Sequence, residues 1–151
     1  MKRTYGKQGG FTRLATQDDC SFIRKLSGDV FTVFGDYSVI IPQWFLNRNV
    51  ITLIYVNHKD PLGFAMLHGP SGEILALAVI PIYQRTGIGT TMLNDIECLA
   101  GKIGLSRLSL HTAKENEAAQ LFFHKAGFKV MGARDKYYPR GQLALIMVKY
   151  I

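Results

Sequence analysis

A short loop with two glycines and a cationic side chain is the segment of this sequence with the clearest chemical meaning. It runs Gln84-Arg85-Thr86-Gly87-Ile88-Gly89-Thr90, between an apolar run and an amphipathic segment. Gly87 and Gly89 carry no side chain, so the backbone there can approach a ligand closely. The unpaired N–H groups of a first helical turn favour an anion, and Arg85 adds a formal positive charge. The pattern predicts a cradle for a pyrophosphate group.

The loop does not match two common nucleotide-binding patterns. The dinucleotide pattern Gly-x-Gly-x-x-Gly fails because position 92 is Met, and no Gly-Lys-Ser/Thr follows the glycines. An isolated Gly-x-Gly is more often only a tight turn. Here the apolar run before Pro81 and the amphipathic segment after the glycines favour a binding loop.

A cradle of this kind needs a strand before it and a helix after it, and the sequence predicts both. Residues 73–80 are almost wholly apolar, as in a central strand that is buried on both faces. A helix is predicted over 87–103, and Gly104 is a natural stop for it. The apolar positions that share one face of this helix are Ile88, Met92, Ile96, Leu99 and Ile103.

The remaining sequence predicts one α/β domain over residues 11–151, after a flexible polar tail at residues 1–10. A helix that begins near Thr16 should bury Cys20, Ile23 and Leu26. Residues 28–37 predict a second short helix or an aromatic loop. Further strands are predicted at 11–15, 50–56, 62–68, 105–112, 128–133 and 142–149, and further helices at 38–47 and 115–126. We expect a central mixed, mostly antiparallel sheet flanked by helices.

Composition narrows the classes of function. The 151 residues carry a formal net charge of +7, which suits an anionic partner, but the basic residues are scattered, so a nucleic-acid interface is not expected. No apolar run is long enough to span a membrane, and no signal peptide follows Met1, so we expect a cytoplasmic protein. Two distant cysteines and four histidines without ligand spacing predict no metal site.

The loop and the segments after it resemble one known family. Gln84-Arg85-Thr86-Gly87-Ile88-Gly89 matches the Gln/Arg-x-x-Gly-x-Gly/Ala signature of the GNAT acetyltransferases. Asn116-Glu117-Ala118-Ala119, followed by Phe123 and Gly127-Phe128, is similar to a second segment of that family. The resemblance covers about residues 11–150 and implies the GNAT fold. Within the superfamily, the C-terminal half most resembles protein N-terminal (Nα) acetyltransferases, including the bacterial enzymes that act on a ribosomal-protein alanine.

The resemblance implies acetyl-CoA as the acetyl donor and direct attack of an amine on the thioester. Backbone N–H groups in the strand before the loop would stabilise the oxyanion, and Asn116 would hold the pantetheine arm. The residues that the resemblance assigns to acetyl-CoA are Leu77, Ala78, Val79, Gln84, Arg85, Thr86, Gly87, Ile88, Gly89, Thr90, Asn116 and Phe123.

His111 and Glu73 are the two candidates for the catalytic base. The resemblance places His111 where the Nα-acetyltransferases that act on Met-initiated N-termini carry a catalytic His. Glu73 matches the general-base Glu of the histone-type enzymes. Glu73 lies four residues before Leu77, or about 13 Å along a strand, so it would need a water or a β-bulge to act. The alternatives are a strand-end His bonded to backbone and a solvated Glu.

Phe123 departs from the family pattern, because many members carry a Tyr there that acts as the general acid. A thiol with a pKa near 8.5 can leave unprotonated, so the departure does not exclude catalysis. Tyr137 and Tyr138 match tyrosines that line the peptide groove of the Nα-acetyltransferases, although ordinary hairpin packing is the alternative. The basic residues Arg134, Lys136 and Arg140 flank them.

Four functions fit these residues to different degrees. We expect an acetyltransferase that acts on a peptide or protein N-terminus. The alternatives are a small-molecule amine acetyltransferase and a non-catalytic acetyl-CoA-binding regulatory module, which Phe123 would favour. A nucleic-acid-binding domain would rest on charge alone.

Overall fold

The strands of the chain form one mixed sheet. The strands are β1 (Phe11–Leu14), β2 (Val50–Asn57), β3 (Asp60–His68), β4 (Glu73–Val79), β5 (Arg107–Ala113), β6 (Lys129–Arg134) and β7 (Ala144–Tyr150). The computed structural model describes residues 9–151, and in them the sheet order is β1-β2-β3-β4-β5-β7-β6. All neighbours pair antiparallel except β4 and β5, which are parallel. The predicted mixed, mostly antiparallel sheet is therefore confirmed.

Four helices flank the sheet: α1 (Cys20–Val30), α2 (Tyr37–Leu46), α3 (Ile88–Lys102) and α4 (Glu117–Lys125). A 3-10 turn at Thr32–Phe34 joins α1 to α2, in the segment predicted as a short helix or an aromatic loop. Gly104 and Gly127 adopt φ values of 87° and 99° just beyond α3 and α4, as expected of helix-ending glycines. No helix between residues 9 and 151 has the length and apolarity that a membrane span requires.

Each face of the sheet carries its own apolar core. Tyr55, Leu67 and Leu110 point toward α3 and α4, where they meet Met92 and Phe128. The alternate strand positions, such as Ile54 and Met66, point toward α1 and α2. Because β4 lies between these two cores, its residues contribute to both, which explains why the run 74–80 is apolar throughout.

Three of the apolar positions predicted on buried helix faces are not fully buried. Ile103 follows the last residue of α3 and is 46% exposed, because the chain already turns toward Gly104. Leu93 and Ala100 are fully buried in α3, while Leu99 is only partly buried. Cys20 is the first residue of α1 and is also only partly buried, whereas Ile23 and Leu26 are buried as predicted.

The parallel pair β4 and β5 separates after a short contact. Only Glu73 and Ile74 pair with β5, opposite Ser109 and Leu110. Beyond them β4 remains paired with β3 as far as Val79, and β5 remains paired with β7. The sheet therefore opens into a gap between the C-terminal parts of its two central strands.

A β-bulge in β4 changes which way its residues face. Met66 pairs with Ala76 and Leu67 pairs with Ile74, so Leu75 is the extra residue on β4. Leu75 and Ala76 accordingly both pack toward α1 and α2, while Leu77 packs toward α3. The bulge lies just beyond the point where β4 and β5 part.

Residues 1–8 of the predicted flexible tail lie outside the described residues. Gly10 is buried, and its N–H donates to the Tyr55 hydroxyl at 3.2 Å. A Cβ at Gly10 would lie 2.4 Å from the Val56 carbonyl oxygen, so the chain passes close to β2 before β1 begins.

Asp19 fixes the connection between β1 and α1. Its carboxylate accepts two hydrogen bonds from the Arg13 guanidinium, at 2.8 and 2.9 Å, and one from the Thr16 N–H at 2.8 Å. The Arg13 hydrogen bond is the main reason that the pKa of Asp19 is lowered. Asp19 is buried, whereas its neighbour Asp18 is exposed.

Replacing Asp19 by Ala should lower the free energy of unfolding by about 1–3 kcal/mol, because charged hydrogen bonds are lost around a buried group. Asp18→Ala, one residue away, should change it by less than about 0.5 kcal/mol. A carboxyl whose pKa is lowered on folding stabilises the folded state at pH values above its unfolded pKa. That stabilisation is lost as the pH falls through the lowered pKa. The gap between wild type and Asp19→Ala in urea denaturation should therefore narrow below about pH 4. If the wild type and Asp19→Ala were equally stable at pH 7, the stabilising role of Asp19 would be contradicted.

Candidate active site

The N-terminus of α3 is shaped by backbone conformations that expose its N–H groups. Gly87 is the N-cap of the helix and has a φ of +95°, in the left-handed region that favours glycine. Arg85 also has a positive φ, of 63°. The first N–H groups of a helix have no intrahelical acceptor, so this end presents free donors and a positive dipole.

Side chains in the loop hold this conformation. The Gln84 amide donates to the Val79 carbonyl oxygen at 3.1 Å and ties the loop to the end of β4. The Thr86 hydroxyl donates to the Tyr83 carbonyl oxygen at 2.6 Å, which turns that side chain back into the loop. Gly89 lies against the Phe122 ring, where an added Cβ would come within 3.3 Å.

The gap between β4 and β5 opens into a cavity of about 560 Å³ that ends at this helix N-terminus. Leu77 and Val79 face it with their backbones. The Ile80 N–H donates to the Leu62 carbonyl oxygen on β3, and in an antiparallel pair alternate residues turn their polar groups the other way. The N–H and C=O groups of Leu77 and Val79 therefore point toward the gap, where β5 is too far to pair with them.

Most of the residues that the resemblance assigns to the donor line this cavity. They are Leu77, Ala78, Val79, Gln84, Arg85, Gly87, Gly89, Thr90, Asn116 and Phe123. Thr86 and Ile88 do not line it. Ile88 is buried in the core beneath α3, and the Thr86 side chain bonds within its own loop.

The α4 side of the gap is apolar. The Asn116 Oδ1 accepts a hydrogen bond from the Ala119 N–H at 3.2 Å, so this side chain caps α4. Phe123 is 9% exposed and packs edge-on against Phe122 and Phe128. The cavity wall at Phe123 therefore offers no hydroxyl.

Glu73 and His111, predicted as rival bases, are directly bonded. The separation between His111 Nδ1 and Glu73 Oε1 is 2.8 Å. The pairing follows from the sheet, because Glu73 lies opposite Ser109 in the short parallel contact and both side chains lie on the α1/α2 face. An ionised carboxylate only accepts hydrogen bonds, so Nδ1 carries the proton and Nε2 carries the lone pair of the neutral ring. Nε2 is buried and has no hydrogen-bond partner within residues 9–151.

Tyr137 and Tyr138 close the other end of the cavity. The Tyr137 ring stacks on His111 with a centroid distance of 4.3 Å and an interplanar angle of 4°. Tyr138 packs against Phe34 at 5.1 Å. Pro139 rests against Gly35, where a Cβ would come within 2.7 Å, so the β6–β7 connection touches the α1–α2 connection.

The phenol groups at this end stay neutral. Burial raises the pKa of Tyr37 to about 12. Burial also raises the pKa of Tyr138 and of Tyr137, and the Glu73 charge adds to the shift at Tyr137. At neutral pH the three hydroxyls are therefore hydrogen-bond donors as well as acceptors.

Several residues that line the cavity were not predicted from the sequence. Phe34, Tyr37 and Trp44 form an aromatic wall on the side of α1 and α2, and Phe122 lies at the other end. The aromatic residues between Gly28 and Phe45 were a visible signal, but nothing in their spacing said that they faced the same cavity as His111. No group of three or more metal-ligating side chains occurs among the residues that the structure describes.

Comparison with known proteins identifies a family. The family model described as the acetyltransferase (GNAT) family matches residues 13–128. A segment of 68 residues is 37% identical to N-alpha-acetyltransferase 50 of Danio rerio, covering 44% of this chain and 40% of that protein. The match therefore spans less than half of that relative's length.

Solved structures with low sequence identity share the fold. The ribosomal-protein-S18-alanine N-acetyltransferase from Escherichia coli superimposes with a TM-score of 0.81 and 22% identity, covering 94% of each chain. The protein yncA from Salmonella typhimurium, solved with its cofactor acetyl-CoA, superimposes with a TM-score of 0.77 and 18% identity, covering 92% of each chain.

Replacing Gly87 by Ala should lower the free energy of unfolding by about 1–2 kcal/mol, because a Cβ is strained at a left-handed φ. Gly101→Ala, in the last turns of the same helix, is the matched control. Nothing lies within 4 Å of a Cβ at Gly101, and the change should raise stability by about 0.5–1 kcal/mol. Urea denaturation measures both. A Gly87→Ala variant as stable as Gly101→Ala would show that the loop does not need this backbone conformation.

Proposed function

The chain belongs to the acetyltransferase (GNAT) family, and we propose that it transfers an acetyl group from acetyl-CoA to the α-amine at the N-terminus of a peptide or protein. One observation carries the proposal. A single cavity joins a helix N-terminus with free N–H groups, an unpaired strand edge and a bonded Glu–His pair. These three elements suit acyl transfer from a diphosphate-bearing thioester.

The donor fits the half of the cavity that lies between β4 and β5. The N–H groups at Gly87, Gly89 and Thr90 and the Arg85 charge would bind the pyrophosphate. The pantetheine arm would lie in the gap beside Asn116. The N–H groups of Leu77 and Val79 already point into that gap, so they would donate to the oxyanion that develops on the thioester carbonyl. The similar fold of yncA, whose structure contains acetyl-CoA as its cofactor, supports this choice of donor.

His111 would accept the proton of the attacking amine through Nε2, either directly or through one water. Glu73 bonds to the opposite nitrogen and would stabilise the imidazolium that forms. The amine nitrogen then bonds to the acetyl carbon as the C–S bond breaks, and the sulfur leaves as a thiolate. Phe123 provides no proton for that thiolate, and a thiol pKa near 8.5 makes one unnecessary. This assigns one role to each of the two rival bases.

The aromatic end of the cavity is where the acceptor would bind. Tyr37, Tyr137 and Tyr138 surround it with neutral hydroxyls that suit the carbonyl and N–H groups of a peptide backbone. Two of the similar proteins are named as acetyltransferases of an N-terminal amine or of an alanine in a ribosomal protein. Both observations favour a peptide over a small amine.

The test is coenzyme A release, followed by thiol titration, with acetyl-CoA and paired acceptors. A peptide with a free N-terminus and no lysine should be acetylated. A second peptide, in which the N-terminus is blocked and one internal residue is replaced by lysine, should not be acetylated, because the site would select the α-amine. Mass spectrometry of the product confirms the position.

Other outcomes would change the proposal. Turnover only on polyamines or amino-sugar antibiotics would replace the peptide acceptor by a small amine. Acetyl-CoA should also raise the melting temperature, since a ligand that binds the native state stabilises it. A shift without turnover on any acceptor would leave a non-catalytic acetyl-CoA-binding module, and no shift at saturating acetyl-CoA would contradict the donor site itself.

A further inference from the structure

His111 is held on two sides by groups that do not belong to its own strand. Glu73 bonds its Nδ1 edge at 2.8 Å, and the Tyr137 ring covers one face of the imidazole at 4.3 Å and almost parallel. A hydrogen bond at one edge still allows the ring to tilt about that bond. A parallel ring in contact with the face removes that freedom, so the two contacts together define the imidazole plane.

Tyr137 is itself covered on its outer face. The Arg134 guanidinium carbon lies 5.5 Å from the Tyr137 ring centroid. Because His111 already occupies one face of that ring in close stacking, the guanidinium lies over the other face. Arg134, Tyr137 and His111 thus form three successive layers from the exposed end of β6 inward, which we name the Arg–Tyr–His stack.

The backbone around Tyr137 is also fixed. Its N–H donates to the Gln142 carbonyl oxygen at 3.1 Å, and the Gln142 side chain donates to the Val33 carbonyl oxygen at 2.7 Å. The β6–β7 connection is therefore bonded to the α1–α2 connection across the cavity mouth. Tyr137, the middle layer of the stack, therefore lies on a loop that these hydrogen bonds hold in place.

We propose that Tyr137 is a positioning residue for His111, and that Arg134 supports it from outside, so that the imidazole plane and the direction of Nε2 are fixed. The proposal rests on the proposed function for its kinetic consequence only. The family resemblance assigned Tyr137 to the peptide groove, and the proposed function gives its hydroxyl to the peptide backbone. In the stack, the face of the Tyr137 ring positions His111. A role of the ring face and a role of the hydroxyl predict different effects of Tyr137→Phe.

The stack can be tested first without any reaction. In ¹H–¹³C spectra of protein labelled at its histidines, the ring protons of His111, identified by their loss in His111→Ala, should be shifted upfield by the Tyr137 ring current. Tyr137→Phe should keep that shift and Tyr137→Leu should abolish it. Ordinary His111 shifts in the wild type would overturn the stack.

Kinetics then test positioning. Tyr137→Leu should lower kcat about 10- to 100-fold with little change in KM for acetyl-CoA, because a misplaced catalytic group loses rate rather than donor affinity. Tyr137→Phe should lose much less kcat than Tyr137→Leu, since the ring face remains, while the lost hydroxyl should appear as a higher KM for the acceptor peptide. Loss of kcat in Tyr137→Phe equal to that in Tyr137→Leu would overturn the proposal and return the role to the hydroxyl.

Arg134→Met, at the end of β6, tests the outer layer, with Arg140→Met in the following β6–β7 connection as its control. Loss of the cation–π contact should lower kcat by about two- to fivefold, as expected for an exposed contact of this kind. Arg140→Met should have no effect on kcat, and equal effects of the two changes would remove Arg134 from the proposal.

If no acceptor is turned over at all, the acetyl-transfer proposal fails, while the spectra still decide whether the stack exists.

Discussion

The separation of β4 from β5 is the constraint on which the rest of the site depends. Two parallel strands that paired along their whole length would satisfy each other's backbone groups and leave no opening. Here the pairing stops after Glu73 and Ile74, and the strands continue with different antiparallel partners. The unpaired N–H groups of Leu77 and Val79 are tolerable only where a ligand or water supplies the missing partners. The opening in the middle of the sheet therefore leaves hydrogen-bond donors available to a ligand.

The short pairing that remains between β4 and β5 is as important for the site as the gap beyond it. It brings Glu73 and His111 onto the same face at neighbouring positions, close enough for a 2.8 Å hydrogen bond. The bulge at Leu75 follows immediately and resets the direction of β4, so that Leu77 and Val79 turn their backbone groups toward the gap. Glu73 and the unpaired N–H groups are thus set by consecutive segments of one strand. Two surface connections, from α1–α2 and from β6–β7, then close the aromatic end of the cavity.

Much of this could be predicted from the sequence. Periodicity and glycine positions gave every strand and helix to within a few residues, and the loop at 84–90 was identifiable from its charge, its glycines and its flanking elements. The pairing of Glu73 with His111 could not be predicted, because it depends on the register of a parallel contact between strands 38 residues apart. A distance counted along one strand placed Glu73 far from the thioester, although the bulge and the neighbouring strand determine what it reaches. The aromatic wall at Phe34, Tyr37 and Trp44 was missed for the same reason, since only the tertiary fold brings it to the cavity.

The most direct test of this account is a crystal structure of the protein with acetyl-CoA or a non-reactive thioether analogue. The account predicts that the ligand lies in the gap, with its pyrophosphate against the N–H groups at Gly87–Thr90 and its acetyl oxygen within hydrogen-bonding distance of the Leu77 or Val79 N–H. His111 should remain bonded to Glu73, with Nε2 directed toward the space beside the acetyl carbon that the attacking amine would occupy. A ligand bound elsewhere, or a gap that closes as β4 and β5 pair along their length, would contradict it.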